Sequence, residues 1–181
     1  MTTYCDYCNT HPEDTFNHTY HATQYGFPLE NDNLLFERLV LEINQAGLSW
    51  ITILKKAEGF RRAYDGFDIE KVAAYTETDR ARLLADAGII RNRLKVNAAI
   101  ENARRIQGIQ REYGSFQKWL NAHHPLEKAG WVKLFKREFV FTGGEIVGEF
   151  LMSTGYLPGA HTADCPVYSL VARQNPKWME K

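Results

Sequence analysis

Apolar residues recur at helical spacing along most of the chain from Asn31 onward. The first such run predicts an amphipathic helix that Asp32 caps and that ends near Gly47, since glycine suits the end of a helix. Its apolar positions are Leu34, Leu35, Leu39, Leu41 and Ile43. Ser49 is placed to cap a second helix over the segment SWITILKKAEGF.

The rest of the chain continues in helical segments. Asp68 is expected to begin a short helix over IEKVAAY, and the TETD segment a further one that ends at Gly88. The longest pattern predicts an amphipathic helix from Arg93 to about Tyr113. Three more short helices are expected over SFQKWLNAHH, LEKAGWVKLFKR and GEIVGEFLMST, whereas both ends of the chain are expected to be poorly helical. Because convincing alternation of apolar and polar residues is missing, the sequence predicts an all-α fold.

Length and composition fit one domain over residues 1–181. The hydrophobic share is 44% and the charged share 24%, as in ordinary folded proteins. No apolar stretch approaches the roughly 18–20 residues that a membrane span needs. The N-terminal segment MTTYCDYCNTHPEDTFNH is polar and lacks the order of a secretory signal. We therefore expect a cytoplasmic protein that has no membrane partner.

Charge neither requires nor excludes a nucleic-acid partner. Lys plus Arg and Asp plus Glu number 22 each, which argues against a protein that coats nucleic acid non-specifically. A small DNA enzyme remains compatible, because binding depends on where the charges lie. The basic residues form three clusters, and each is either a solvated helix face or part of a DNA-binding surface. The clusters are Lys55, Lys56, Arg61 and Arg62; Arg91, Arg93 and Lys95; and Lys133, Lys136 and Arg137.

Cysteine and histidine near the two ends of the chain have the spacing of a metal site. The chain has three cysteines, and an odd number without an export signal argues against a disulfide framework. Cys5 precedes His21 near the start, while His161 and Cys165 lie four residues apart near the end, where one helical turn would aim both side chains the same way. Two Cys and two His suit a closed, structural zinc site that would tie the two ends together.

Other ligand sets remain open from spacing alone. Cys8 forms a Cys-x-x-Cys pair with Cys5, and His11 and His18 offer substitutes for His21. Unligated thiols and surface histidines are the simpler interpretation of the same residues.

Three longer motifs stand out in the chain. The longest is LEINQAGLSWITILKK over residues 41–56, and the second is DAGIIRNR over residues 86–93. The third is Tyr20-His21 followed by Gly26-Phe27-Pro28. Together these motifs resemble the DNA-3-methyladenine glycosylase I family. The resemblance covers roughly residues 4–168, and its longest motif is far more specific than a short glycine pattern.

The resemblance implies a helix-hairpin-helix DNA-glycosylase fold in which a zinc site joins the two termini. The ligands that it implies are Cys5, His21, His161 and Cys165. Members often read Cys-x-Trp-Cys at the start, and this chain has tyrosine in place of that tryptophan. The pattern favours Cys5 as the ligand over Cys8, although the stretch from Cys5 to His21 is slightly longer than in typical members.

The implied activity is the monofunctional hydrolysis of the bond between 3-methyladenine and its sugar in alkylated double-stranded DNA, by a monomer. The base must be flipped into an aromatic recess, where stacking and cation–π attraction favour its positive charge. The aromatic residues at the matching positions are Tyr20, Tyr25, Trp50 and Tyr7.

Glu42 lies within an apolar helical run, where a buried carboxylate is costly without a partner. In the family, the matching glutamate accepts a hydrogen bond from the exocyclic amine of the base. Glu42 is therefore the expected catalytic and base-binding residue, and a helix residue at the solvent edge is the simpler alternative.

DNA binding is expected at a helix-hairpin-helix over about residues 133–153. Glycines in the hairpin would let backbone N–H groups approach a phosphate, beside the N-terminus of the next helix. The residues expected to bind DNA are Lys136, Arg137, Thr142, Gly143 and Gly144. Asp164 is the nearest candidate to assist water, but it lies between the proposed zinc ligands and is given no role.

The chain departs from the family pattern beside the pocket. Typical members read Tyr-His-Asp-x-Glu-Trp-Gly, whereas this chain has Ala22, Gln24 and Tyr25 in place of that Asp, Glu and Trp. Asn17 replaces a usual tyrosine, and Thr142 replaces a valine in the hairpin. These changes put the range of bases in question. A protein that binds alkylation damage with weak or no excision is the alternative, and a zinc-dependent hydrolase is a third, which would need an open metal position.

Overall fold

The computed structural model describes residues 3–180, and within that range the chain forms eleven α-helices joined by turns and two short 3₁₀ segments. The helices are α1 (Tyr4–Thr10), α2 (Thr15–Thr23), α3 (Asp32–Gln45), α4 (Trp50–Ala63), α5 (Ile69–Ala73), α6 (Glu77–Ala85), α7 (Arg93–Tyr113), α8 (Phe116–His123), α9 (Lys128–Glu138), α10 (Gly144–Ser153) and α11 (Pro166–Ala172). No β-strand occurs between residues 3 and 180, which confirms the all-α prediction. In the same range, no helix has the length and apolar composition needed to cross a membrane.

Helix α3 begins differently from the prediction. Its cap is Asn31, whose side chain accepts a hydrogen bond from the Leu34 N–H at 3.1 Å. The Asp32 carboxylate instead accepts from the backbone N–H groups of Phe116 and Gln117, at 2.8 and 3.0 Å. Asp32 therefore satisfies the first two N–H groups of the neighbouring helix α8, whose N-cap is Ser115, and its negative charge is favourable at that N-terminus.

Most other predicted boundaries agree with the structure. Asp68 caps α5 by accepting from the Lys71 N–H at 3.1 Å, and α7 spans the predicted residues. Helix α6 ends at Ala85, three residues before the predicted end at Gly88. A Cβ on Gly59 would collide with the Gly88 carbonyl oxygen, so this pair of glycines permits a close approach of α4 to the loop after α6.

The prediction that both ends are poorly helical is wrong. Thr3 and Asp6 form a capping box at α1, and the Asp14 side chain caps α2. Near the C-terminus, Pro166 occupies the first turn of α11, where its missing N–H costs nothing. Local capping therefore outweighs the weak apolar periodicity of these short segments.

Helix α3 lies at the centre of the fold. Its residues 35–44 are all buried, and the main hydrophobic core forms around it from α4, α7, α8, α9 and α10. A second, smaller cluster joins the two ends of the chain and consists of Cys5, Cys165, Val167 and Val171. Because every face of α3 is covered, a polar side chain on it must lie in a cavity or have a partner.

Candidate functional site

A cavity of about 460 Å³ opens beside α3, within the roughly 300–1,000 Å³ typical of small-molecule pockets. Helices α1, α2, α3, α4 and α10 contribute to its wall, together with Tyr25, which lies two residues after the end of α2. The lining side chains are Tyr4, Tyr20, Tyr25, Glu42, Gln45, Trp50, Glu145 and Glu149. Four aromatic rings and three carboxyl groups make this pocket suited to a flat, positively charged ligand.

The aromatic rings of the pocket pack against one another. The Tyr20 ring lies 5.1 Å from Trp50 and 5.7 Å from Tyr25 between ring centroids, and Tyr4 lies 5.4 Å from Tyr25. The Tyr20 hydroxyl and the Trp50 indole nitrogen are buried and have no hydrogen-bond partner among residues 3–180. Buried donors without partners are rare in native proteins, so both point to a ligand or water in the pocket.

Glu42 is the deepest carboxyl group of the pocket, with 4% of the residue exposed. Its carboxyl group makes no hydrogen bond within the described part of the chain, residues 3–180. Burial raises the pKa of Glu42 to about 8, with a further contribution from Glu149, while the positive charge of Arg38 opposes the rise. In the empty pocket the group is therefore mostly protonated at neutral pH, and a cationic ligand would restore its charge.

Arg38 lies one turn before Glu42 on α3 and is also buried. Its guanidinium donates to the Ser153 carbonyl at 3.0 Å and stacks 5.1 Å from the Tyr20 ring centroid. Arg38 thus fixes the back of the Tyr20 ring and joins α3 to the end of α10. No feature of the sequence analysis pointed to this role.

Lys95 supports the turn between Glu42 and Trp50. Lys95 was predicted to form a basic cluster with Arg91 and Arg93. In the structure it does not belong to that cluster, because Lys95 is only 6% exposed whereas the two arginines are exposed. Its ammonium donates to the carbonyl oxygens of Asn44 and Ala46, at 2.8 and 2.7 Å. These are the free carbonyl groups at the end of α3, so a positive charge is favourable there.

The four residues predicted to bind metal come together. Ligand atoms of Cys5, His21, His161 and Cys165 lie within 4.8 Å of one another, and all four residues are buried. The Sγ atom of Cys5 lies 3.6 Å from His161 Nδ1, and that of Cys165 lies 3.6 Å from His21 Nε2. A tetrahedral ion with the usual Zn–S and Zn–N bond lengths separates such ligand atoms by about 3.6 Å, so this donor set fits zinc.

The surroundings of the cluster orient its ligands. His161 donates from Nε2 to the Tyr25 carbonyl at 2.7 Å, which leaves Nδ1 directed at the sulfur atoms. Burial and the neighbouring His161 lower the pKa of His21 to about 4, so this imidazole is neutral at pH 7, as a metal ligand must be. One expectation was wrong in detail, because His161 and Cys165 lie in a turn before α11 rather than on a helix.

The alternative ligands lie outside the cluster. The Cys8 thiol contacts the carbonyl oxygen of Asn17 at 3.7 Å, and the structure places Cys5 among the ligand atoms. His11 and His18 are exposed on the surface. The geometry therefore favours Cys5 and His21 over the substitutes that spacing left open. Asp164, which was given no role, is exposed.

Tyr7 lies outside the pocket, contrary to expectation. Its hydroxyl donates to Asp14 at 2.9 Å, and its ring stacks on His11 at 4.4 Å between centroids. Tyr4, one turn earlier on α1, contributes the pocket ring and donates to the Asn17 side chain at 2.9 Å. The sequence analysis also missed Gln45 and Glu149, and Gln45 had one signal, since it lies three residues after Glu42 on the same helix.

The loop between α9 and α10 exposes only part of the predicted DNA-binding set. Lys136, Arg137 and Gly143 are exposed, and Gly144 is half-buried. Thr142 is buried, and its hydroxyl donates to the Phe135 carbonyl at 3.1 Å, so this side chain closes the end of α9 and is not available to a partner.

A larger groove, of about 870 Å³, lies on another face between α2, α3 and α11. Its charged lining residues include Glu37 and Arg61, which form an ion pair at 2.8 Å. None of the three buried polar atoms without a partner in the described chain belongs to its lining. The smaller pocket at Glu42 is therefore the better candidate for the reaction site.

Comparisons with known proteins agree on one family. The family model for methyladenine glycosylase matches residues 9–130 of the chain. DNA-3-methyladenine glycosylase 1 of Escherichia coli is 35% identical, over 89% of this chain and 96% of that protein. The corresponding Haemophilus influenzae enzyme is 34% identical, over 92% and 98%.

Solved structures give the same result. A tyrosine-to-phenylalanine variant of a 3-methyladenine DNA glycosylase I in complex with 3-methyladenine superimposes with a TM-score of 0.79 at 32% identity, over 88% of this chain and 96% of that one. The 3-methyladenine DNA glycosylase I from Staphylococcus aureus gives a TM-score of 0.78 at 33% identity, over 88% and 95%.

Proposed function

This chain belongs to the methyladenine glycosylase family, and we propose that it excises 3-methyladenine from alkylated DNA by hydrolysing the bond between base and sugar. It is a base-excision repair glycosylase. The observation that carries this function is the buried Glu42, whose carboxyl group makes no hydrogen bond within residues 3–180 and lines, with aromatic rings, a pocket large enough for a base.

Recognition follows from charge. A 3-methyladenine base is positively charged while it is attached to the sugar, so the rings of Tyr20 and Trp50 attract it when it is flipped into the pocket. The Glu42 carboxylate accepts a hydrogen bond from the exocyclic amine. An unmodified, neutral base would leave Glu42 either charged and uncompensated or protonated, and the pocket thereby selects the cation.

Hydrolysis needs little further assistance at the base. When the bond to the sugar breaks, its electron pair returns to the base, which leaves as a neutral molecule. The protein therefore has mainly to hold the base and to favour the movement of positive charge from base to sugar. We propose a monofunctional reaction in which water, and no side-chain amine, attacks the sugar.

The metal cluster has a structural role in this proposal. Cys5, His21, His161 and Cys165 would hold one Zn²⁺ ion, and two Cys and two His leave no coordination position open for a substrate. The ion would fasten α1 and α2, which carry Tyr4 and Tyr20, to the segment before α11. It thereby supports the pocket wall from behind.

The proposed DNA-binding element is the helix-hairpin-helix formed by α9 and α10. We propose that double-stranded DNA binds with a phosphate at the N-terminus of α10, next to Gly143 and Gly144, and that Lys136 and Arg137 add positive charge. We propose that residues 1–181 form one domain and that the protein acts as a monomer.

The variant Gly143→Asp tests the hairpin. Gly143 is the N-cap of α10 in an extended conformation, and a Cβ there meets nothing within 4 Å, so aspartate fits and caps the helix well. Its charge would repel a phosphate, and we expect duplex affinity to fall about tenfold or more at low salt. Fluorescence anisotropy with labelled duplex measures this, and Gly143→Ser is the uncharged control. Equal affinity of both variants and the native protein would remove the hairpin from the DNA interface.

The pH dependence of excision tests the proposed function. Glu42 must be ionised to accept from the base, and its pKa in the free protein is raised to about 8. We expect kcat/KM for release of 3-methyladenine from methylated duplex to rise about tenfold per pH unit below pH 8 and to level off above it. Radiolabelled base release between pH 6 and 9.5 measures the profile. A profile that is flat across this range would contradict the role of Glu42.

A further inference from the structure

The pocket holds three carboxyl groups at three different depths. Glu42 forms the floor, Glu149 is half-buried in the wall, and the Glu145 side chain is 93% exposed at the mouth. Glu145 and Glu149 lie four residues apart on α10, so they are neighbours on one face of that helix. Only Glu42 has so far been given a role.

Glu149 is held in place by a hydrogen bond from the pocket wall. The buried Tyr25 hydroxyl donates to its Oε2 atom at 3.2 Å. The other carboxylate oxygen has no protein partner within residues 3–180. Glu145 differs, because it forms an ion pair with Lys128 at 3.5 Å on the surface. The pocket therefore contains one oriented carboxylate oxygen that is free to meet a ligand.

Glu149 lies at the depth in the pocket expected for the sugar, and not at the depth expected for the edge of the base that carries the amine. A base whose exocyclic amine reaches Glu42 on the floor points its bond to the sugar back towards the mouth. That bond then lies between the depths of the buried Glu42 and the exposed Glu145, and the half-buried Glu149 is the lining carboxyl group of intermediate exposure. An oxygen here can contact the reacting carbon or the water that attacks it.

We propose that Glu149 is a second catalytic residue, which activates the attacking water. The inference rests on the proposed glycosylase function. The Glu149 carboxylate takes a proton from water as the water oxygen forms a bond to the anomeric carbon of the sugar. The bond from that carbon to the base nitrogen breaks, and its electron pair neutralises the positive base. The products are the neutral free base, an abasic sugar with a hydroxyl group at that carbon, and a protonated Glu149, which returns its proton to solvent.

The charges around Glu149 are consistent with a general base. Burial raises its pKa and Glu145 adds to the rise, whereas the hydrogen bond from Tyr25 and the charge of Lys128 favour the ionised form. Its negative charge would also stabilise, at short range, the positive charge that develops on the sugar in the transition state. Glu42 interacts with the base, so the two carboxylates have separate partners.

The experiment compares Glu149→Gln with Glu112→Gln, which removes the same charge at an exposed position of α7 outside the pocket. Single-turnover release of 3-methyladenine from methylated duplex measures the chemical step, and calorimetric titration with free 3-methyladenine measures recognition without a sugar. We expect Glu149→Gln to slow release about 100-fold or more, the usual effect of losing a general base, and Glu112→Gln to slow it less than about threefold. Both variants should bind the free base within about threefold of the native protein.

The results separate this inference from the proposed function. If the native protein releases no base, the proposed function itself fails. If the native protein is active and both variants release base at similar rates, Glu149 has no catalytic role. If Glu149→Gln weakens free-base binding by the same factor as the rate, Glu149 recognises the base and the inference is overturned. For a variant that folds poorly, Glu149→Ala with added formate is the second test. Recovery of rate by about tenfold or more supports the general base, and the absence of recovery in folded protein opposes it.

Discussion

Replacement of Cys165 by serine is expected to lower the melting temperature by about 10 °C or more, with loss of bound metal. The four proposed ligands come from α1, α2 and the turn before α11, and a shared ion would link the two ends of the chain. The adjoining hydrophobic cluster has only four buried residues, too few to hold these ends without further support. Structural zinc sites contribute their binding energy directly to folding, which is why the expected effect is large.

Cys8→Ala is the matched control for this prediction. Cys8 is buried three residues from Cys5 but lies outside the four-ligand cluster. Its loss should cost only the packing of one small side chain and should leave the metal content unchanged. Thermal melts followed by circular dichroism, with metal measured by mass spectrometry, distinguish the two. Equal melting temperatures and equal metal content for Cys165→Ser and Cys8→Ala would exclude a structural metal at this cluster.

Glu42→Gln is expected to reduce excision about 100-fold or more and, at the same time, to stabilise the folded protein at alkaline pH. The amide cannot match a carboxylate in stabilising a cationic base. Yet the carboxylate is costly to the folded protein, because burial disfavours its ionised form. A residue that destabilises the empty protein and is needed with substrate is typical of a functional site.

The sign of the stability effect follows from the pKa. Burial raises the pKa of Glu42 from 4.5 to about 8 in the folded protein, so folding favours the protonated form. The contribution of Glu42 to stability is greatest below pH 4.5, decreases as the pH rises towards 8 and is constant above that value. Glu42→Gln should therefore nearly match the native protein near pH 5 and exceed it by on the order of 4 kcal/mol near pH 9.

Urea denaturation at the two pH values measures this difference. Glu112→Gln, at an exposed position of α7, is the control and should show no change of stability between the two pH values relative to the native protein. A Glu42→Gln variant that is equally stable relative to the native protein at both values would show that the Glu42 carboxyl is not destabilised by burial.

The local parts of the fold were predictable from the sequence, and the tertiary parts were not. The period of apolar residues located α7, and Asp68 marked the start of α5, because both signals act within one element. Asp32 was predicted to cap its own helix, whereas Asn31 caps α3 and the Asp32 side chain accepts from Phe116 and Gln117, which are more than 80 residues away. Short helices such as α1 and α11 have too few turns for apolar periodicity to identify them.

The site shows the same division. Glu42 stood out because a carboxyl group in an apolar run needs a partner, and Trp50 because it follows the same turn. Tyr4 and Glu149 carry no comparable local signal, and they reach the pocket only through the packing of α1 and α10. Lys95 did carry a local signal, but the signal was misleading. A lysine near two arginines resembles a surface charge, and only the structure shows the carbonyl groups that accept hydrogen bonds from it.

The most direct test of the proposed function is to incubate the purified, metal-loaded protein with methylated duplex DNA and to identify the bases released by chromatography. We expect selective release of 3-methyladenine over 7-methylguanine, which is sharply reduced in Glu42→Gln. Tight binding of the folded protein to methylated DNA without release of any base would contradict it. The protein would then be a damage-binding module, with Ala22, Gln24 and Tyr25 as the first residues to examine.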